Sequence, residues 1–256
     1  MKLGAQGYTI RRFAKTPEDI KASFEKLKNI GYKAVQISGF AKIEPELLKS
    51  YADEYGLEIC ATHNSMDRFE NDVEELIREH KLWGCKYIGI GGMPEEFRAS
   101  KEGFDAFLKK IETPARKIAD AGLKFVYHNH SFEFSKIDGD KTGFDYLADK
   151  TTPDFFGFLA DFYWVQAGGM FPVDFIEKYA DRLEITHFKD MVAKTDNSQA
   201  YAEIFNGNMN YDAIYKACVS KGVKWAVVEQ DTCPGDPFDS LKLSYDNLKK
   251  LKFDNV

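Results

Sequence analysis

The sequence predicts an α/β fold, a (β/α)8 barrel formed as a single domain over residues 1–256. Three observations point there. Eight short apolar runs alternate with longer amphipathic stretches, and strands alternating with helices imply a parallel sheet. Four helices pass to the next strand across a glycine, at Gly31-Tyr32, Gly56-Leu57, Gly84-Cys85 and Gly122-Leu123, where glycine supplies the left-handed C-cap conformation. No Pro/Gly/Ser-rich linker or low-complexity segment divides the chain, and eight β/α units in about 250 residues favour a closed barrel over an open sheet.

The elements follow in order. Lys2–Tyr8 reads as the first strand. Thr16-Pro17-Glu18-Asp19 starts a helix, with Thr16 as N-cap and Pro17 at the first helical position, and it ends near Gly31. Tyr32–Ser38 is the second strand and Glu44–Tyr55 the second helix. Leu57–His63 is followed by a helix over Glu70–Trp83, and Lys86–Gly91 by a long helix over Lys101–Ala121. Leu123–His130, Phe156–Asp161, Leu183–Lys189 and Val223–Glu229 complete the strands. The remaining helices fall at Phe144–Lys150, Val173–Tyr179, Tyr211–Ser220 and Phe238–Leu251.

Composition narrows the partners. Apolar residues make up 44% and charged residues 30%, as in ordinary soluble domains. The net charge of −6 argues against a nucleic-acid ligand, which calls for a basic excess. The four cysteines sit in no close ligand spacing and read as reduced, mostly buried thiols. No apolar run approaches the roughly 20 residues of a membrane span, and no signal peptide is visible. A cytoplasmic protein is expected, with assembly into a homo-oligomer left open.

Barrels of this kind carry their active sites at the C-terminal ends of the strands. His63, His128, His130 and His187 all lie at predicted strand ends, and only His80 falls on a helix. Glu133, Asp161 and Glu229 bring carboxylates to the same mouth. Histidine with several carboxylates suits a divalent ion such as Mn²⁺, Mg²⁺ or Zn²⁺. The ion would polarise a substrate carbonyl and acidify its neighbouring C–H. A ligating carboxylate can still act as a base through its second oxygen.

Lys189 alternates with His187, so both face inward, where an ammonium needs an anion or a substrate. Asp190 reads as a cap for the next segment. Phe162 and Trp164 are rim aromatics of the kind that also face sugars. Gly168-Gly169 is a turn. Gly89–Gly92 lacks the Lys-Ser/Thr that follows a phosphate-cradling loop, and reads as a strand-end turn.

Nearly the whole chain resembles the sugar phosphate isomerase/epimerase branch of the xylose-isomerase-like TIM barrels. The likeness runs through Gly4–Thr9, Tyr32–Gly39, Tyr127–Phe134, Asp161–Trp164, His187–Asp190 and Glu229–Asp231. The resemblance implies a metal held by Glu, Asp, His and Glu from strands 5 to 8. Asp161, His187 and Glu229 match three of these. Many relatives carry the fourth inside strand 5, where this chain has His128, so Glu133 is the expected ligand, with His128 or His130 as the alternative.

Expected catalytic residues are Glu229, Glu133, His128 and Lys189; expected substrate-binding residues are His63, His130, Gln6, Gln36 and Trp164. The implied activity is a metal-dependent isomerase or epimerase of a small keto-sugar, working through an enediolate. The alternative is a metal-dependent lyase or hydrolase acting on a 3-keto glycoside or inositol derivative. A phosphodiesterase and a catalytically silent sugar-binding module fit the residues less well.

Overall fold

A computed structural model describes residues 1–256. Eight parallel strands close into a barrel: β1 Lys2–Gln6, β2 Ala34–Ile37, β3 Glu58–Asn64, β4 Tyr87–Ile90, β5 Lys124–His128, β6 Gly157–Asp161, β7 Leu183–Phe188 and β8 Trp225–Val228. Each pairs with its sequence neighbours, and β1 closes on β8 with Lys2 opposite Trp225 and Ala5 opposite Val228. Ten helices connect the strands and surround the barrel: α1 Pro17–Ile30, α2 Pro45–Tyr55, α3 Met66–Asn71, α4 Val73–Trp83, α5 Lys101–Asp120, α6 Gly143–Lys150, α7 Phe162–Ala167, α8 Pro172–Tyr179, α9 Tyr211–Ser220 and α10 Pro237–Leu248. No helix is long and apolar enough to cross a membrane.

The expected elements form, with most strand ends trimmed by one or two residues, β3 running one residue further to Asn64, and the last helix ending three residues early at Leu248. Thr16 caps α1 as expected: its side chain accepts from the Asp19 N–H, and the Asp19 carboxylate accepts from the Thr16 N–H, both at 3.1 Å. This reciprocal pair satisfies two donors that a helix start leaves open. Three features differ from expectation. The Glu70–Trp83 helix is two helices, starting at Met66 and broken at Asp72 (φ −143°). The aromatic segment after Asp161 forms α7, capped by Asp161, whose Oδ1 accepts from the Trp164 N–H at 3.2 Å. Two hairpins appear, Lys136–Asp138 with Lys141–Thr142, and Asp190–Ala193 with Gln199–Ala202.

Strand alternation divides the core. Outward side chains join the helices in a cluster of 54 buried residues. A second cluster of nine, including Ala34, Ala61, Val126, Leu159, Ile185 and Val227, plugs the barrel interior. Successive strand residues face opposite sides, so two positions beyond the plug the same inward rows reach the mouth. Leu159 leads to Asp161, Ile185 to His187, Val227 to Glu229, Val126 to His128, Ala61 to His63 and Ala34 to Gln36. Gly89 makes room in this layer, because a Cβ there would lie 2.4 Å from the Thr62 carbonyl and 3.1 Å from the His63 ring.

Candidate metal and proton-transfer site

The strand ends bring His128, Asp161, His187 and Glu229 together, with one donor atom from each within 4.8 Å of all the others. Asp161 and His187 are level across the β6–β7 pair. All four are buried. His187 Nδ1 lies 2.8 Å from Glu229 Oε2 and 3.8 Å from Asp161 Oδ2. On its other side, His187 Nε2 donates to Gln36 Oε1 at 2.8 Å. That bond directs Nδ1 at the carboxylates and leaves it as the nitrogen able to hold a metal. Gln6 Nε2 approaches the same ring at 3.3 Å, while Gln6 Oε1 accepts from the Tyr8 N–H.

Lys189 adds a fixed positive charge. Its ammonium is 3.1 Å from Asp161 Oδ2, 3.3 Å from Glu229 Oε2 and 2.5 Å from Asp231 Oδ2. The rings of Tyr163, Trp164 and Tyr201 stand 5.2–5.8 Å from it. Burial opposes the charge on Lys189, but three carboxylates outweigh it and raise its pKa well above the usual lysine value. Burial likewise opposes ionisation of Glu229, yet Lys189 and His187 hold its carboxyl well below the usual range. For His187, burial is overcome by Glu229 and Asp161, which lift the imidazole to about 9. The other mouth histidines are neutral: burial, reinforced by the neighbouring imidazole His187, drives His63 to about 3 and His128 well below its ordinary value. Burial lowers His130 to about 4.

The donor set fits a divalent cation. Two imidazoles and two carboxylates suit Mn²⁺, Mg²⁺ or Zn²⁺. Ligands at about 2.0–2.6 Å from one ion span no more than about 5 Å across it, as these four do. His128 Nδ1 is buried with no hydrogen-bond partner, a state that burial penalises unless a ligand completes it, and His187 Nδ1 has only the carboxylates of the same cluster beside it.

Glu133, expected as the strand-5 ligand and as a catalytic carboxylate, is not brought into this group. It lies in a short turn, Phe132–Phe134, that points its side chain back toward β5. There Oε1 accepts from the Tyr127 hydroxyl at 2.6 Å and Oε2 from the His130 N–H at 2.9 Å. Burial pushes its carboxyl up to about 8. Its place in the cluster is taken by the alternative, His128.

The expected substrate-binding residues reach the mouth. His63 lies 5.0 Å from the His128 ring and 5.5 Å from the His187 ring. His130 lies 5.4 Å from Trp164, and Trp164 Nε1 has no partner. His80 stays apart, its Nε2 paired with Thr62 Oγ1 at 2.8 Å and its Nδ1 with the Leu76 carbonyl. Asp190 caps backbone as expected, accepting from the N–H groups of Met191, Phe205, Gly207 and Met209.

Three residues of the site, Tyr163, Asp231 and Tyr201, were not singled out from the sequence. Asp231 was legible in principle, since it follows Glu229 by two along an inward row. Tyr201 had no local signal; the hairpin held by Asp190 delivers it.

The profile of the xylose isomerase-like TIM barrel family matches residues 24–251. An inosose dehydratase from Geobacillus kaustophilus is 25% identical over 189 residues, 64% of this chain and 60% of the relative, so the chain spans less than two thirds of that protein's length. A sugar phosphate isomerase/epimerase from Parabacteroides distasonis superposes with a TM-score of 0.81 at 22% identity, over 97% of this chain and 93% of the other. A probable 3-DHS dehydratase from Bacillus anthracis superposes with a TM-score of 0.73 at 15% identity, over 97% and 99%. With the closed parallel barrel and a matching profile over most of its length, the chain belongs to the xylose isomerase-like TIM barrel family.

Proposed function

We propose that the chain catalyses metal-assisted proton transfer at the carbon beside a carbonyl in a small sugar-like substrate, with Glu229 as the base. The observation that carries this reading is the placement of the Glu229 carboxylate: buried at the mouth, 2.8 Å from His187 Nδ1 and 3.3 Å from the Lys189 ammonium, among the other metal donors. His128, Asp161, His187 and Glu229 would hold the cation, which polarises the substrate carbonyl and acidifies its neighbouring C–H. Glu229 takes the proton. Lys189, a permanent cation beside it, offsets negative charge as it develops on the substrate. Gln36 and His63 present unpartnered nitrogens, Nε2 in each, that are free to orient substrate oxygens.

Three outcomes share this first step: isomerisation, epimerisation and elimination of a group β to the carbonyl. Epimerisation by two carboxylates needs an acid on strand 5. With Glu133 committed to Tyr127 and His130, that partner is missing, which favours a one-base isomerisation or elimination. The inosose dehydratase relative adds weight to elimination from a cyclic keto-polyol.

The test is deuterium incorporation from D2O with Mn²⁺ and a panel of ketoses, inososes and 3-keto glycosides. Wild type should exchange into at least one of them. Glu229→Gln, nearly isosteric, should lose on the order of 10²–10⁴-fold of that rate. Full exchange in Glu229→Gln with normal metal content moves the base elsewhere, and no exchange by the wild type into any of them removes the reading.

A further inference from the structure

The proton-transfer cluster is walled on one side by Tyr163, Trp164 and Tyr201 around Lys189, and on another it is bordered by the His63 ring. Between the β2–α2 connection and helices α3 and α4 lies a cavity of about 680 Å³ whose inner wall includes Ser38, Thr62, His63 and Asn64. That volume falls in the range of sites that enclose a whole small-molecule ligand. His63 belongs to both spaces. Its Nδ1 pairs with Ser38 Oγ at 3.3 Å, and one of its ring nitrogens lies within 4.8 Å of ring nitrogens of His128 and His187. Its buried Nε2 has no partner.

The lining fixes the chemistry of a ligand. Both arginines there are already saturated: Arg68 with Asp72 and Glu79, each at 2.8 Å, and Arg78 with Glu75 at 2.7 Å and Glu46 at 3.1 Å. An arginine engaged in this way has no open fork for a phosphate or carboxylate. Asp67 and Glu44 add negative charge, and Lys42 alone contributes an uncommitted cation. Trp83 and Phe40 supply aromatic surface, with Trp83 Nε1 tied to the Pro45 carbonyl at 2.9 Å. Ordered polar groups, aromatic surface and a single free cation outnumbered by Asp67 and Glu44 together describe a place for an uncharged polyol rather than an anion.

We infer that this cavity is a second saccharide subsite, holding an uncharged sugar ring linked to the one that reacts at Glu229. The inference rests on the proton-transfer reading for its reacting end, and its test is separate from that reading. The probes are uncharged gluco-disaccharides and glucose, titrated into Mn²⁺-free protein and followed by amide and indole NMR shifts at Trp83 and Asn64. Disaccharides should bind about tenfold tighter than glucose, with shifts at both residues. Asp67→Trp, an exposed position on the cavity rim and away from the metal donors, should abolish that difference. It should leave Mn²⁺ affinity and deuterium exchange into simple keto-sugars unchanged. Should Asp67→Trp fail to fold, Lys42→Trp, at another exposed residue of the same lining, serves the same purpose. Absence of disaccharide binding at millimolar concentration, equal affinity for glucose, or binding insensitive to the rim substitution overturns the inference. Loss of exchange into simple keto-sugars in the wild type overturns the proton-transfer reading instead.

Discussion

At the N-terminal end of the barrel, Glu184 meets the Lys86 ammonium at 2.8 Å, the Tyr87 hydroxyl at 2.7 Å and the Lys124 ammonium. Partial burial raises its carboxyl, but these partners win and hold it down to about 2. At the C-terminal end, Glu229 also sits beside a lysine, but among side chains that are not satisfied. Buried side-chain nitrogens without a hydrogen-bond partner gather at this end, on Gln36, His63, His128, His130, Trp164 and Gln230. Buried polar groups normally find partners. Concentrating the exceptions at one end marks where a ligand, rather than the protein, completes the hydrogen bonding, and assigns the other end to stability.

Substitutions at the two ends should therefore part company. The largest effect is expected at His187. His187→Ala should remove most Mn²⁺ binding measured by calorimetry while far-UV circular dichroism stays native, because the ring faces the mouth rather than the apolar plug. Wild-type metal content in that variant would break the assignment. A smaller loss is expected one bond further out. Gln36→Leu removes the acceptor that orients His187 and should weaken Mn²⁺ about 10–100-fold, the usual cost of losing a group that orients a metal ligand. Imidazole ¹⁵N shifts should show the His187 tautomer no longer fixed, which a purely structural defect would not produce.

The smallest effect on the site should come from Glu184→Gln, with metal affinity and exchange unchanged. Its cost should appear in stability, about 1–2 kcal/mol near neutral pH after allowing for partial solvent screening. The sign follows from a depressed carboxyl. The stabilisation is present above the unfolded value of about 4.3 and is lost as pH falls toward about 2. Urea melts of wild type and variant should converge over that window, and a constant gap would show that packing, not charge, is at work.

The barrel was legible because strand alternation, helix caps and glycine stops all agree along the chain. Thr16 and Pro17 announce α1, and Gly84 announces the end of α4. Asp161, His187 and Glu229 were legible because each lies within one residue of a strand's C-terminal end. What escaped depends on side-chain direction in short irregular segments. Glu133 lies only five residues beyond His128, but a single 3₁₀ turn aims its carboxylate at Tyr127. Helix α7 has six residues, four of them aromatic or β-branched, too few and too poor as helix formers to signal themselves; the Asp161 cap and its packing create it. Tyr201 arrives through a hairpin held by the Asp190 carboxylate and four backbone donors, a long-range arrangement with no periodic trace.

The shared rows of plug and mouth have one more consequence. Ile185 and His187 occupy alternate places on β7, with Lys189 just past its end, and Glu229 and Asp231 follow Val227 at the same spacing past the end of β8, so the apolar plug acts as a ruler for the polar layer above it. Deleting one residue within β7 would turn either His187 away from the mouth or Ile185 out of the barrel, because a one-residue slip moves every shifted side chain to the other face. Point replacements at the rim meet no such constraint. The chemistry of this barrel can be rewritten one strand-end residue at a time, but not by sliding a strand.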